Sequence, residues 1–168
     1  MKLPITPTEF RSILLSHGWH DLAPFKTDIE NRKLIIPFAH ADGNGCVEIH
    51  ADKSECHFNV VAGDPALAQR VVNNALSLDR DMSGLYAVVK GTDFEWLKTQ
   101  KRGRYLRGTT LFEDCFKIIL TTNINWDMTK RIVASTVEKY GTDLGGYKAF
   151  PLPASLSGII YQSSVLTS

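Results

Sequence analysis

Apolar and polar positions change their rhythm once along this chain, near Gly63. Before that point apolar residues come in short β-rich runs: RKLIIPF over 32–38, CVEIH over 46–50 and ECHFNVV over 55–61. The first run contains Pro37, which brings no N–H to a ladder and so marks an edge or a bulge. The turn clusters ADGNG and ADKS separate the runs, which predicts an antiparallel meander. A short helix over 8–17 (TEFRSILLSH) precedes them, with Thr8 as its cap.

Beyond Gly63 the apolar spacing is helical. Asp64 and Pro65 have the chemistry of an N-cap and a first helical position, and Leu67, Val71, Val72, Ala75 and Leu76 follow on one face. Two shorter helices fit DMSGLYAVV and TDFEWLKTQ, the second with Thr92 and Glu95 at capping-box spacing. A basic, glycine-flanked linker, KRGRYLRG, comes next. Thr110 and Glu113 open another helix, with Phe112, Cys115, Phe116, Ile119 and Leu120 as its expected apolar stripe. After TTNIN a final helix runs to Tyr140, with Met128, Ile132, Val133, Val137 and Tyr140 expected to face inward and Gly141 to stop it. Strands first and helices later is the order of an α+β fold. The division expected is a small antiparallel sheet domain over 1–78 with one packing helix, then part of a helical domain over 79–168.

Charge sharpens the picture. The net charge is only +1, yet residues 1–97 carry nine Lys/Arg against thirteen Asp/Glu, while residues 98–131 carry eight against three. The basic series Lys98, Lys101, Arg102, Arg104 and Arg107 interleaves with Trp96 and Tyr105, a composition suited to phosphate contact. With 43% hydrophobic and 22% charged residues the composition is that of a globular domain. There is neither a membrane-spanning apolar run nor an apolar leader, and three cysteines make no disulfide framework. A cytoplasmic location is expected from this, associated with the nucleoid if the source is bacterial.

Few residues suggest chemistry. Cys46, His50, Cys56 and His57 have metal-ligand types, but Cys56 and His57 are neighbours in a strand and point to opposite faces. His17 and His20 bracket Gly18 and Trp19 without a third ligand. Gly43 and Gly45 fit a hairpin turn better than a phosphate loop. Asp79 and Asp81 fit capping, and Cys115 fits the core better than a nucleophile. No metal or cofactor is implied. The turn TTNIN is different. Asn123 and Asn125 each offer a donor and an acceptor on an uncharged tip, which suits a base edge. Asn125 is also placed to cap the helix that follows.

Taken in order, LDRDMSGLY, GRYLRG, FEDCFKIIL, the amide-bearing turn, the helix ending in YG, and AFPLP resemble the helix-hairpin-helix DNA glycosylases of base-excision repair. The likeness is to the 8-oxoguanine and 3-methyladenine enzymes and spans residues 77–153. It implies an N-terminal antiparallel sheet domain related to that of TATA-binding protein, followed by an all-helical domain. It implies double-stranded DNA, damaged or abasic, as partner. In such enzymes the turn between the two helices enters the duplex, and a side chain there fills the place of the flipped-out base or contacts its orphaned partner. Asn123 matches that position, with Thr122 and Asn125 beside it, and Arg104, Arg107 and Lys130 as further DNA contacts. The family's catalytic hairpin, lysine and aspartate lie downstream of the segment matched by YKAFPLP. The tail SLSGIIYQSSVLTS offers no Lys, Asp or Glu and no LPGVG-like hairpin, so no catalytic residue is assigned. The resemblance therefore implies a glycosylase front portion (a fragment, a truncated reading frame or a degenerate relative) that releases no base alone. A non-catalytic DNA-binding module or a cytosolic interaction scaffold is the alternative. NIN stands where some 8-oxoguanine enzymes have NNN.

Overall fold

The computed structural model describes residues 1–157. Helix α1 (Pro7–Leu14) is followed by a 3-10 turn over Gly18–Asp21. Strands β1 (Lys26–Asp28), β2 (Lys33–His40), β3 (Gly43–Ala51) and β4 (Cys56–Ala62) form one antiparallel sheet in that order. Residues 1–3 add a short edge to β4, through Leu3 N to Cys56 O at 2.8 Å and Phe58 N to Met1 O at 2.8 Å. Helices α2 (Pro65–Ala75), α3 (Ser83–Val88), α4 (Trp96–Thr99), α5 (Leu111–Thr121) and α6 (Trp126–Tyr140) follow, then the small hairpin of β5 (Thr142–Asp143) and β6 (Lys148–Ala149). The fold is α+β.

The meander forms for the reason the alternation suggests. Leu34, Ile36 and Phe38 of β2, Val47 and Ile49 of β3, and Cys56 and Phe58 of β4 point to one face. Phe10, Ile13 and Leu14 of α1 and Leu67, Ala68, Val71, Val72 and Ala75 of α2 cover that face. Pro37 pairs with Cys46 on one side only, because β1 reaches no further along β2 than Ile35. Gly45 lies where an added Cβ would stand 2.3 Å from the Ala62 carbonyl, so the close approach of β3 and β4 requires glycine. It sits inside β3 rather than in the hairpin turn.

Several local expectations need correction. The N-cap of α1 is Thr6, in a reciprocal capping box with Glu9, rather than Thr8. Thr92 and Glu95 form no such box: Thr92 Oγ1 accepts from Phe94 N and Glu95 Oε2 accepts from Gly91 N, leaving α4 a single turn. Gly141 ends α6 with φ −66° rather than in the left-handed region. Its value is space, since a Cβ there would meet Val137 O at 2.3 Å. Cys115 and Ile119 are exposed, as are Met128 and Tyr140. The side of α5 turned inward instead carries Glu113 and Lys117, both fully buried and paired at 2.5 Å. Glu113 Oε2 accepts from Thr109 N and Oγ1, and the Lys117 ammonium lies 4.8 Å from the Phe25 ring centroid. Every formal charge at this buried site is therefore matched.

A second apolar cluster, Leu22 with Val133, Val137 and Phe150, joins the segment after α1 to α6, with Trp19, Phe112, Phe116 and Leu120 packed on it. The uncharged tail beyond residue 157 lies outside the described residues. No helix among the described residues is long and apolar enough to cross a membrane.

Candidate nucleic-acid interface

Helices α5 and α6 meet at Thr122, Asn123 and Ile124. Thr122 closes α5, its hydroxyl donating to Ile119 O at 2.8 Å. Ile124 is half-buried, and the amides on either side of it are exposed. The two amides have separate jobs. Asn125 caps α6: its Oδ1 accepts from Met128 N at 2.9 Å, and its carbonyl accepts from Thr129 N at 3.0 Å. Asn123 makes one side-chain contact, Nδ2 donating to Thr122 Oγ1 at 3.2 Å, and its carbonyl oxygen tip faces solvent without a partner among the described residues.

The turn is held from behind by residues 16–21, a strap that the sequence did not single out. Ser16 Oγ accepts from Leu106 N at 3.1 Å. Trp19 Nε1 donates to Asp114 Oδ1 at 2.7 Å, and the same oxygen accepts from Gly108 N at 2.7 Å. Gly18 lies against the Trp126 ring, and Asp21 Oδ2 accepts from Trp126 Nε1 at 3.3 Å. Strap, linker, α5 and the start of α6 are thus joined at five points. The signal in the sequence was Gly-Trp with an aspartate two residues on. Pairs this far apart carry no periodicity by which to find them.

The basic residues are more committed than the charge pattern suggested. Arg104 donates to the carbonyls of Ser77 and Arg80, closing the end of α2 onto the linker. Arg107 donates to Asn74 O and pairs with Asp79, and its side chain is only 13% exposed. Lys130 sits 3.3 Å from both Asp21 and Asp127. Hydrogen bonds that it donates to these carboxylates, Asp127 first, raise its pKa above the ordinary lysine value. Arg131, next to it, is exposed and makes no ion pair with the described residues. Asn123, Asn125, Thr122 and Lys130 therefore lie together at the head of α6, while Arg104 and Arg107 belong to the linker.

Between strap and α5 lies an open cavity of about 600 Å³, walled by His17, Trp19, Tyr105, Leu111, Asp114 and Ile118. Burial holds the His17 imidazole below its ordinary pKa, so the ring is neutral at pH 7, and its Nδ1 accepts from Trp19 N. Cys46 and Cys56 are buried thiols, and burial pushes each up to about 11. His50 and His57 stack on each other at 5.7 Å, while Cys56, adjacent to His57, points into the core. No group of three His, Cys, Asp or Glu residues among the described residues is arranged to hold a metal ion.

No family model matches the chain, and no curated protein does. Solved structures match it over most of its length. The 3-methyladenine DNA glycosylase of Archaeoglobus fulgidus aligns with 93% of this chain and 57% of its own, at TM-score 0.66 and 15% identity. The fold is that of the DNA glycosylases. The 8-oxoguanine glycosylase/lyase of Clostridium acetobutylicum aligns with 82% of this chain and 50% of its own, at TM-score 0.58 and 20% identity. MBOgg1, solved in complex with a low-affinity DNA ligand, aligns with 79% and 56%, at TM-score 0.50 and 15% identity. The chain spans a little over half the length of these glycosylases. At such identities the shared property is the fold, including the N-terminal sheet domain.

Proposed function

We propose that this chain is the DNA-facing front portion of a base-excision glycosylase and recognises damaged or abasic duplex DNA through the α5–α6 turn. The observation that carries the reading is Asn123. Its amide is exposed between two helices of a glycosylase fold, bound among the described residues only to its neighbour Thr122, on a turn clamped from behind by Gly18 and Asp21. A rigid base and an uncommitted tip are what a side chain needs to fill the gap left by an extruded base. Unstacking costs a few kcal/mol, and a group that occupies the vacated space offsets part of it.

In this reading Asn125 and Thr122 shape the turn, and Asn125 serves mainly as a cap. Phosphate contact falls to Arg131, to the outer side of Lys130 and to backbone N–H groups. Arg104 and Arg107 brace the linker that carries the helix pair. The neighbouring cavity, about 600 Å³ with Trp19 and Tyr105 as walls, offers aromatic faces close to the turn's supporting strap. Cleavage of the N-glycosidic bond is assigned to no residue described here.

A second reading draws on α5. Leu111, Ile118 and Ile119 are more than half exposed, a surface suited to an interaction scaffold. Salt separates the two. Duplex binding that weakens steeply as salt rises, with counterion release from phosphate, supports the DNA reading. Absence of any salt-sensitive duplex binding would leave the scaffold.

A further inference from the structure

We infer that the groove between α1 and the linker binds a nucleotide unit, its phosphate held by Arg11 and Arg102 and its ring stacked on Tyr105. The groove has a volume of about 580 Å³ and is lined by Thr8, Arg11, Ser12, Arg102, Arg104 and Tyr105 among others. Three arginines line it, and no Asp or Glu does. Glu9, the acid of α1 itself, is buried, turned into the Thr6 cap and 3.8 Å from Lys101 Nζ.

These cations are uncommitted where it matters. Arg11 makes no side-chain hydrogen bond or ion pair with the described residues. Arg102 Nε reaches only Gln100 Oε1, at 3.4 Å. Arg104 spends one terminal nitrogen on the Ser77 and Arg80 carbonyls and keeps the other. The hydroxyls of Thr8 and Ser12 have no partner among the described residues. Arginine forks and free hydroxyls without a counter-charge match a phosphate's oxygens.

The linker side is preorganised. Arg102 N donates to Leu97 O at 2.7 Å, and Arg102 O accepts from the Tyr86 hydroxyl at 3.0 Å. Gly103 has φ +114°, and a Cβ there would stand 2.6 Å from carbons of Leu85 and Met82. Tyr105 is 46% exposed and forms the wall at the groove's end, its ring 6.2 Å from that of His17. Bases stack on such a face irrespective of sequence. Phosphate forks and an aromatic face side by side specify a nucleotide unit, free or within a strand. The inference does not depend on the Asn123 turn.

The test is calorimetric titration of the full chain at one salt concentration with three probes: inorganic phosphate, dAMP and a 5′-phosphorylated single-stranded oligonucleotide. Wild type should bind dAMP, and the R11A/R102A pair should weaken that binding about tenfold or more, the scale of losing a charge-assisted hydrogen bond. Tyr105→Leu should weaken dAMP while leaving inorganic phosphate unchanged. If the oligonucleotide binds and dAMP does not, with the same dependence on Arg11 and Arg102, the proposal holds and the unit belongs to a strand. Loss of dAMP binding in R11A/R102A with any preference for an abasic duplex retained would separate this site from the turn. No binding by any probe, or binding indifferent to R11A/R102A with unchanged thermal melting, would overturn the proposal. Should the alanine pair melt early, R11Q/R102Q repeats the comparison with the side-chain bulk retained.

Discussion

Gly18 and Trp126 occupy each other's space. The indole lies where a Gly18 side chain would stand, with Cζ2 and Cη2 both 2.4 Å from the position of an added Cβ. Trp126 is the first residue of α6, three positions after Asn123, so this contact seats the turn. Gly18→Ala is expected to displace the indole and destabilise the chain by about 1–3 kcal/mol, the range for overpacking. Denaturant unfolding measures it. If Trp126 also sets the pose of the turn, the variant loses affinity for distorted duplex.

Glu113 and Lys117 stabilise only as a pair. Lys117→Ala leaves a buried carboxylate with Thr109 as its only remaining hydrogen-bond partner, and is expected to cost about 3–5 kcal/mol. The double change Glu113→Gln with Lys117→Met removes both charges. It should cost clearly less than the two single changes added together, which a double-mutant cycle in urea would show.

The two amides of the turn should separate in stability measurements. Asn125→Ala removes the α6 cap and is expected to lower stability by about 1 kcal/mol, while Asn125→Asp keeps it. Asn123→Ala touches an exposed tip, and its effect on stability should stay within about 0.5 kcal/mol. Equal losses at both positions would mean that Asn123 is also structural.

Thiol chemistry should follow burial. Cys46 and Cys56 are raised to about 11, from 9.0, by burial, whereas Cys115 is exposed on α5. One thiol per chain should react rapidly with a disulfide reagent in the native state at pH 8, and three after unfolding. Because the folded pKa values lie above the unfolded ones, this contribution to stability is complete below pH 9. It is lost as pH rises from about 9 towards 11. Chemical denaturation across that window measures it.

Much of the architecture was legible because it rests on local chemistry. Asp64 and Pro65 start α2, Thr110 caps α5, and Asn125 caps α6, each through a bond spanning three residues. The meander was legible from alternation and turns, although β1, with the sequence KTD, has no apolar pattern to announce it. The inner face of α5 was misread for a physical reason. A buried ion pair at i and i+4 looks like a solvated face in sequence, and its burial depends on Phe25, Thr109 and Phe150 arriving from elsewhere. Arg104 and Arg107 were expected to contact phosphate; the partners they have here are carbonyls and a carboxylate 24 to 33 positions away, which no local pattern announces. The strap from Ser16 to Asp21 escaped notice because its bonds span 90 to 105 positions.

The most direct test is fluorescence-anisotropy binding at one fixed salt concentration to two duplexes identical except for a single abasic site, with wild type and Asn123→Ala. Tighter binding of the abasic duplex by wild type, lost in Asn123→Ala while intact-duplex binding is kept, is the predicted result. Equal binding of both duplexes by wild type would contradict the assignment of the α5–α6 turn as the part that enters DNA.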